Sequence, residues 1–450
     1  MKPQRRSPKN AILHPARAVT LAFLAAIAVG TLLLLLPAAR AGAGAAPWNV
    51  AAFTAVSAVC VVGLGVVDTG TYWSGFGQWV ILLLVQVGGF GMMTGATLLG
   101  LMVNRSPRLR PRLMTQTESR TLALGDVASV ARVVLVVTVT VQLLVAALLS
   151  LRLRYAYDLA WGEAFWSGLF HAVSAFNNAG FSIHADGLMR YAVDAVVLGP
   201  IMLAIVVGGI GFPVLHDLRH RWRDPRHWSL HTKLTLTGTL VLLAGGFLAT
   251  LLLEWNNPRT IGPFSVAGKL LNSLFVSVAA RTAGFNALDI GALTQESWAL
   301  HYFLMFIGGG SAGTAGGVKV GTFMVLLLLV LAEARGHPDT EAFGRRVGGP
   351  AQRQAVTVLV LGSVVVALGT IALLRVTDFP IGQVIFEAIS AFSTTGLSTG
   401  ITPLFPPSGQ VVLMLLMFFG KVGTVTIATS LVLGERRMPY RYPEEHPIVG

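Results

Sequence analysis

Eight long apolar runs recur along this sequence and constrain its fold more than any other feature. They cover roughly residues 17–39, 77–103, 128–151, 192–215, 232–254, 297–332, 355–374 and 410–433. About 20 predominantly apolar residues in a helix are enough to cross the hydrocarbon core of a bilayer. The runs therefore predict an all-α polytopic membrane protein with eight membrane spans.

The amino-acid composition excludes other classes of protein. Charged residues make up 12% of the 450 residues, whereas a soluble surface needs about 25%. A mean hydropathy of +0.69 excludes a disordered chain. The single cysteine, Cys60, excludes an internal disulfide and a cysteine-based metal site. A signal peptide is the alternative for the first run, but the length of the run and the lack of an A-x-A site favour a membrane helix.

The basic residues predict the orientation of the chain. Its net charge is +13, and most Lys and Arg residues fall in segments that share one side of the membrane, among them 105–120 and 219–233. The positive-inside rule places both termini in the cytoplasm. The two basic segments either set this topology or also contact anionic lipid or a regulatory partner. The charge gives no reason to expect binding to nucleic acid.

An internal fourfold repeat follows from shorter apolar segments between the runs, near 47–62, 162–178, 264–282 and 380–394. At about 15 residues they are too short to cross and predict re-entrant helices. Each ends in a glycine turn, and the spacings between the glycines Gly63, Gly180, Gly284 and Gly396 are 117, 104 and 112 residues. A second glycine motif follows each turn 24 to 28 residues later. The predicted unit is span, re-entrant helix, glycine turn and span.

The repeats define the expected organisation of the chain. Repeats one to four cover 17–104, 128–220, 231–334 and 351–434. The cytoplasmic segments that separate and flank them are 1–16, 105–127, 221–230, 335–350 and 435–450.

Four re-entrant segments that enter from one side can converge on a pseudo-fourfold pore. Non-helical backbone at that depth must line a water-filled cavity or be buried, and rings of carbonyl oxygens replace the hydration shell of a monovalent cation. Asp68 and Asp289, five residues past their glycines, are expected at the outer vestibule, where they would concentrate cations. The alternative is that the glycines only allow close helix packing, which explains one or two sites better than four.

The turns carry the motifs Asn177-Asn178-Ala179-Gly180-Phe181, Arg281-Thr282-Ala283-Gly284-Phe285 and Ser393-Thr394-Thr395-Gly396-Leu397. With the second glycine motifs, the sequence resembles the membrane subunit of the Trk, Ktr and HKT superfamily of K⁺ transporters over nearly its whole length, and its length favours the bacterial Ktr type. The resemblance implies K⁺ uptake across the plasma (inner) membrane of a bacterium, a homodimer and a cytosolic RCK-type nucleotide-binding regulatory subunit. The nucleotide, of the ATP/ADP or NAD type, is expected on that partner, and no cofactor on this chain.

The resemblance also implies a K⁺ selectivity filter, the only metal site expected. Its residues would be Val61, Val62, Gly63, Asn178, Ala179, Gly180, Thr282, Ala283, Gly284, Thr394, Thr395 and Gly396. Relatives that carry Na⁺ have serine at the position of Gly63, so glycine favours K⁺. The family commonly has threonines where this chain has Val61 and Val62, so only carbonyl groups are expected to act there.

The third repeat has a glycine-rich segment in the middle of its second span. This segment, about 308–317, consists of Gly308, Gly309, Gly310, Ser311, Ala312, Gly313, Thr314, Ala315, Gly316 and Gly317. Each glycine costs a helix interior about 1 kcal/mol, so we expect the helix to break and to form an intramembrane gate loop like that of the Ktr and Trk proteins. A tightly packed glycine helix is the alternative. A phosphate-binding P-loop is disfavoured because its residue order is absent.

Lys421 lies near the middle of the last predicted span. A charge at the centre of a membrane costs at least about 2.5–3.5 kcal/mol, which favours a functional role. We expect Lys421 to point at the pore beneath the filter, near the gate loop, and to form an electrostatic barrier to K⁺. A pair with a buried acid is the alternative.

Other functions compete with a K⁺-selective translocation subunit. A Na⁺-selective or Na⁺/K⁺ symporting relative is the first alternative. A membrane enzyme is disfavoured because no His, Asp and Glu residues stand at catalytic spacing, and a voltage-gated channel because no span carries regularly spaced arginines. The sequence thus predicts a transporter rather than an enzyme.

Overall fold

The computed structural model describes residues 15–103, 127–423 and 443. At 15–18, 96–103 and 127–131 it describes the backbone alone. Most of the predicted cytoplasmic segments 1–16, 105–127 and 435–450, and the last part of repeat four, lie outside the described residues.

The described chain is mostly helical, with one short antiparallel hairpin of two strands, Glu341–Ala342 and Arg345–Arg346. The helices are α1 (Pro15–Leu34), α2 (Trp48–Val59), α3 (Thr69–Tyr72), α4 (Gly75–Val103), α5 (Val127–Ala156), α6 (Trp161–Phe176), α7 (Ala195–Ile210), α8 (Phe212–Arg221), α9 (Leu230–Glu254), α10 (Val266–Ala279), α11 (Gln295–Phe306), α12 (Val320–Ala334), α13 (Gly349–Leu374), α14 (Ile381–Ser393) and α15 (Pro407–Phe418).

Four helical stretches are long and apolar enough to cross a membrane. They are Gly75–Gly95, Arg132–Ala156, Leu230–Glu254 and Gly349–Leu374, and the bent pair of α7 and α8 makes a fifth if it counts as one span. The other apolar runs correspond to shorter helices, and the last of them is described only to residue 423. The chain is thus a multi-pass helical membrane protein.

Helices α2, α6, α10 and α14 occupy the four short apolar segments of the repeat. Each packs against the long helix that precedes it, α1, α5, α9 and α13 respectively. An aromatic side chain in each short helix is completely buried, at Phe53, Phe176, Phe275 and Phe386. By contrast, α9 and α13 expose large apolar side chains such as Leu252 and Leu368. The short helices therefore form the interior, and the long helices present their apolar faces to the outside.

The run 192–215, predicted as one continuous span, is broken, which corrects the prediction. Helices α7 and α8 meet at an angle of 99°. Gly211 at the break has φ +92°, and a Cβ there would lie 2.3 Å from the carbonyl oxygen of Ser311. Pro213 follows in the first turn of α8, where proline favours the start of a new helix. The glycine-rich segment of the third repeat therefore occupies the space at the bend.

The helix break predicted from the glycine content of the third repeat is present. Helix α11 ends at Phe306 and α12 begins at Val320. Ile307 and Val318 form an isolated parallel bridge between the two ends of the intervening segment. We call residues 308–317 the glycine-rich loop.

Candidate functional site

The four glycine turns meet one another in a closed ring. Each glycine lies against the carbonyl oxygen of the residue that precedes the glycine of another turn. A Cβ on the glycine would lie 2.2 Å from that oxygen for Gly63 and Ala179, 2.8 Å for Gly180 and Ala283, 2.4 Å for Gly284 and Thr395, and 1.9 Å for Gly396 and Val62. The contacts run from the first turn to the second, third and fourth and back to the first, so a side chain at any of the four glycines would collide with backbone.

Two residues in each turn have a positive φ. At the glycines Gly63, Gly180, Gly284 and Gly396, φ is +94°, +66°, +72° and +91°. Two residues earlier, φ is +55°, +57°, +62° and +53° at Val61, Asn178, Thr282 and Thr394. Sequence reasoning anticipated the glycines but missed the second set, because three of its four residues are β-branched and such residues rarely adopt this conformation. Backbone strain of this kind persists only where the surrounding structure enforces it.

Serine side chains hold three of the turns. They belong to a short sequence pattern in repeats one, two and four, Ala-Val-Ser-Ala at 55–58 and 172–175 and Ala-Ile-Ser-Ala at 388–391. The hydrogen bonds are Gly63 N to Ser57 Oγ (3.1 Å), Gly396 N to Ser390 Oγ (3.1 Å) and Ser174 Oγ to the Phe181 carbonyl (2.8 Å). The third repeat has Val278 at this position. Its turn therefore relies on other contacts.

The second glycine motif lets a span approach the end of the short helix in its own repeat. A Cβ added to Gly88 would lie 2.1 Å from the carbonyl oxygen of Val59. A Cβ added to Gly208 would lie 1.8 Å from the carbonyl oxygen of Phe176. A Cβ added to Gly420 would lie 1.6 Å from the carbonyl oxygen of Phe392. Each of these carbonyls belongs to the residue four positions before the glycine of the turn. In the third repeat, Gly308 instead lies against the Gly316 carbonyl of the glycine-rich loop. The loop takes the place of the direct contact there.

An open cavity of about 370 Å³ is lined by the four glycines of the turns. Asp68 and Asp289, predicted at the outer vestibule, also line it. Asp68 caps α3 by accepting a hydrogen bond from Thr71 N at 2.7 Å, and Asp289 accepts one from Gly291 N at 2.9 Å. Both carboxylates therefore combine a capping role with a position in the cavity above the ring.

The glycine-rich loop lies between the ring and the bend of α7 and α8. A Cβ on Gly316 would lie 2.0 Å from the hydroxyl oxygen of Thr394 in the fourth turn. On its other side, Gly310 N donates to the Gly209 carbonyl at 2.7 Å. Glycine is required at these positions because backbone packs against backbone.

Thr314 is the residue through which the loop contacts most of its surroundings. Its hydroxyl donates to Asn178 Oδ1 in the second turn at 3.0 Å. Its carbonyl accepts a hydrogen bond from Lys421 Nζ at 2.5 Å. One partner of Lys421 is thus a loop carbonyl, and the lysine lies beside the glycine-rich loop.

Three charged side chains contact the loop, of which sequence reasoning singled out only Lys421. This lysine is completely buried and lies in a π-helical turn, Phe419–Gly423. Lys319 donates to the Ala315 carbonyl. Arg281 Nη2, from the third turn, donates to the Gly308 carbonyl at 2.7 Å. The mid-membrane position of Arg281 and Lys319 was the available indication of their importance.

Glu387 holds the segment that follows the fourth turn. It is completely buried in α14. Its Oε1 accepts hydrogen bonds from Thr399 N at 2.9 Å and Ser398 Oγ at 2.7 Å, and its Oε2 accepts one from Thr402 Oγ1 at 2.7 Å. Glu387 therefore holds a backbone N–H group behind the fourth turn.

Within the described part of the chain, no group of three or more His, Cys, Asp and Glu side chains is placed to hold a metal ion. His171 and His184 stack with their ring centroids 5.0 Å apart. His171 also contacts the Ser182 hydroxyl at 3.0 Å. These histidines form part of the packing around the second turn.

Comparison with known proteins identifies the family. A model of the family described as "TrkH: Cation transport protein" matches residues 15–437. The Ktr system potassium uptake protein B of Bacillus subtilis is 39% identical over 436 residues, which cover 97% of each chain. Its namesake of Vibrio alginolyticus is 33% identical, with 96% of this chain and 94% of that protein covered.

Two further proteins are similar. The potassium/sodium uptake protein NtpJ of Enterococcus hirae is 32% identical, with 97% and 98% of the two chains covered. The crystal structure of the potassium transporter TrkH from Vibrio parahaemolyticus has the same fold, with a TM-score of 0.71 at 18% identity over 97% of this chain and 87% of that one. By the family match and the identity to its relatives, this chain belongs to the TrkH family of cation transport proteins.

Proposed function

We propose that this chain is the K⁺-selective, ion-translocating membrane subunit of a bacterial K⁺ uptake system. Its four repeats, 17–104, 128–220, 231–334 and 351–434, would each contribute a span, a re-entrant helix, a filter turn and a second span to an eight-span, pseudo-fourfold pore. The observation that carries this proposal is the closed ring of four glycine turns. The names of the relatives, which are potassium uptake proteins, support the choice of ion.

The proposed filter consists of backbone rather than side chains. Carbonyl oxygens in rings replace the water molecules around a dehydrated K⁺ ion. The turns follow the C-terminal ends of α2, α6, α10 and α14, where the helix dipole places partial negative charge. Val61 and Val62 have no side-chain oxygen, so the first turn would contribute carbonyl groups alone. Asp68 and Asp289 would raise the concentration of cations at the entrance.

The proposed gate is the glycine-rich loop together with Lys421. The loop lies beside the second and fourth turns through Thr314 and Gly316, and a non-helical segment in a membrane must line a cavity or be buried in protein. The Lys421 ammonium group would repel K⁺ entering from the filter. Displacement of the loop carbonyl that holds Lys421 would move this charge and change the barrier.

The proposal extends to the assembly. Proteins named as parts of a Ktr system imply several components. We propose a homodimer that binds a cytosolic RCK-type subunit, on which the regulating nucleotide would bind, while this chain itself carries K⁺ and no cofactor. The cytoplasmic segments, both termini included, would face the cytosolic subunit and the anionic lipid of the bacterial plasma membrane.

The test is K⁺ uptake by the chain in cells and in liposomes. Expression in a bacterium that lacks its own K⁺ uptake systems is expected to restore growth at low external K⁺. In liposomes, K⁺ flux is expected to depend on the presence of the cytosolic subunit. Absence of growth and of flux in a well-expressed, correctly folded protein with its cytosolic subunit would overturn the proposal.

Na⁺ transport together with K⁺ is the alternative function. The relative from Enterococcus hirae, whose name includes both ions, favours it. Flux of Na⁺ and K⁺ measured in the same liposomes separates the two, because a K⁺-selective filter passes little Na⁺ even when K⁺ is absent. A Na⁺ flux that rises with external K⁺ would indicate symport.

A further inference from the structure

A small cavity lies beside the second and third turns and is separate from the larger cavity above the ring. Its volume is about 20 Å³, and about 10–15 Å³ is enough for one water-sized particle. Three of its lining residues have polar side chains: Asn178 of the second turn, Arg281 of the third turn and Thr239 of α9. The other lining residues are aliphatic side chains and glycines.

Arg281 carries a charge that its visible contacts do not balance. The residue is 6% exposed. Nη2 donates to the Gly308 carbonyl, but Nε and Nη1 are buried without a hydrogen-bond partner in the described part of the chain. None of the ion pairs found among the described residues includes Arg281. Burial of an ion costs several kcal/mol unless a counter-charge and hydrogen bonds compensate it.

The other two polar groups present donors as well. Asn178 Oδ1 accepts a hydrogen bond from the Thr314 hydroxyl at 3.0 Å. The other end of the amide is therefore the donor nitrogen Nδ2. Nδ2 and the Thr239 hydroxyl are both buried without a partner among the residues that the structure describes. A guanidinium and an amide nitrogen are donors only, and a hydroxyl can donate. The cavity is therefore lined by donors around one positive charge.

We propose that this cavity binds a single monatomic anion, chloride in the cell. A halide accepts hydrogen bonds from all three side chains and supplies the negative charge that Arg281 needs. A water molecule accepts hydrogen bonds but leaves the charge uncompensated, and phosphate or a carboxylate is too large for the cavity. The anion is a bound structural ion rather than the transported one. An effect of the anion on transport rests on the proposed function. In that case the anion would screen the charge of Arg281 from cations in the proposed filter.

The first experiment locates the ion directly in the unmodified protein. Crystals grown in KBr are expected to show an anomalous difference peak for bromide within reach of Arg281, Asn178 and Thr239. Ordered water at this place without an anomalous signal overturns the proposal. The measurement needs no transport, so its failure and the failure of the K⁺ uptake test are independent.

The second experiment measures affinity through thermal stability. A ligand that binds only the folded state raises the melting temperature. In detergent at constant K⁺, the wild-type protein is expected to melt higher in KCl or KBr than in potassium gluconate, whose anion does not fit. Arg281→Met is expected to remove the difference. Thr239→Val is expected to raise the half-saturating halide concentration about tenfold, since a hydrogen bond to a charged group is lost.

A matched control comes from the same helix. Thr250 of α9 is also completely buried with an unpartnered hydroxyl, but it does not line the cavity. Thr250→Val is expected to leave the halide dependence as in the wild type. Equal melting in chloride and gluconate, or a halide effect of full size in Arg281→Met or Thr239→Val, overturns the proposal. If Arg281→Met does not fold, the comparison of Thr239→Val with Thr250→Val and the bromide difference map still test the proposal.

Discussion

The ammonium group of Lys421 donates a hydrogen bond to the backbone carbonyl of Thr314 at 2.5 Å, and this contact joins the fourth repeat to the glycine-rich loop of the third. The Thr314 hydroxyl in turn donates to Asn178 in the second turn. A shift of the loop therefore changes both the position of a buried charge and a contact to the ring. Such a connection suits the proposed gate, because one backbone segment touches both the proposed barrier residue and the ring of glycine turns.

Lys421→Ala is expected to raise K⁺ flux. The substitution removes a positive charge from the proposed path below the filter, and each 1.4 kcal/mol removed from a barrier raises a rate about tenfold. We therefore expect an increase on the order of tenfold in liposome K⁺ flux. Lys421→Arg keeps the charge and is expected to stay near the wild-type flux.

The control for this substitution is Lys269→Ala. Lys269 lies in the first turn of α10, and its Nζ donates to the Trp255 carbonyl at 2.7 Å, outside the glycine-rich loop. Its removal is expected to leave flux unchanged. If Lys421→Ala folds normally and passes K⁺ no faster than the wild type, Lys421 is not a barrier.

Gly284→Ala is expected to abolish K⁺ transport. A Cβ would lie 2.4 Å from the Thr395 carbonyl oxygen, and φ at this residue is +72°. The ring therefore has to open before the methyl group fits. Growth at low K⁺ and liposome flux report the loss.

Gly44→Ala is the control that separates the steric clash of an added Cβ from the strain of a positive φ. Gly44 has φ +81° but nothing within 4 Å of a Cβ. Alanine there is expected to cost roughly 1–2 kcal/mol of stability and to keep transport. Equal transport by the two alanine variants contradicts a functional role for the ring contacts.

Much of this architecture could be predicted from the sequence, because the relevant patterns are local. Apolar length identified the helices, and the short segments 47–62 and 162–178 correspond closely to α2 and α6. The repeated glycines marked the turns, since only residues without a Cβ allow backbone to meet backbone there. The glycine content between 308 and 317 likewise predicted the break between α11 and α12.

What the sequence did not reveal depends on contacts between distant segments. The bend has a local signal in Gly211 and Pro213, but its contact with Ser311 of the glycine-rich loop joins residues 100 positions apart, which carry no mutual pattern. The positive φ of Val61 and Thr394 opposes the local preference of β-branched residues and is imposed by the ring. Lys421 donates to the backbone carbonyl of Thr314, and every residue type has such a carbonyl, so the sequence does not identify this partner.

Gly208→Ala tests the second glycine motif. A Cβ on Gly208 would lie 1.8 Å from the Phe176 carbonyl oxygen, at the end of the helix that leads into the second turn. We expect a lower melting temperature and reduced K⁺ flux, because α7 or the turn has to shift. Gly199 lies in the same helix with nothing within 4 Å of its Cβ position, so Gly199→Ala is expected to be neutral or slightly stabilising. Similar behaviour of the two variants counts against the motif as a support of the turn.

Glu387→Gln is expected to lower both stability and selectivity. The carboxylate accepts hydrogen bonds from three residues that follow the fourth turn, and a bond to a charged group contributes about 1.5–3 kcal/mol. The glutamine amide keeps one oxygen that accepts from Thr399 N. Its NH₂ group, however, would face the Thr402 hydroxyl, which donates to the carboxylate in the wild type. The segment behind Gly396 is then less firmly held, so the fourth turn adapts more readily to the smaller Na⁺ ion.

The measurements are the melting temperature in detergent and the ratio of K⁺ to Na⁺ flux in liposomes, and both are expected to fall in Glu387→Gln. Glu296→Gln in the first turn of α11 is the control, because Glu296 is exposed and its replacement leaves the hydrogen bonds of Glu387 in place. A Glu387→Gln protein with normal selectivity but reduced stability would restrict Glu387 to a structural role. Because the hydrogen bonds of the carboxylate go to Ser398, Thr399 and Thr402, beyond the proposed filter residues, a change in the flux ratio is the readout that shows it positions the turn.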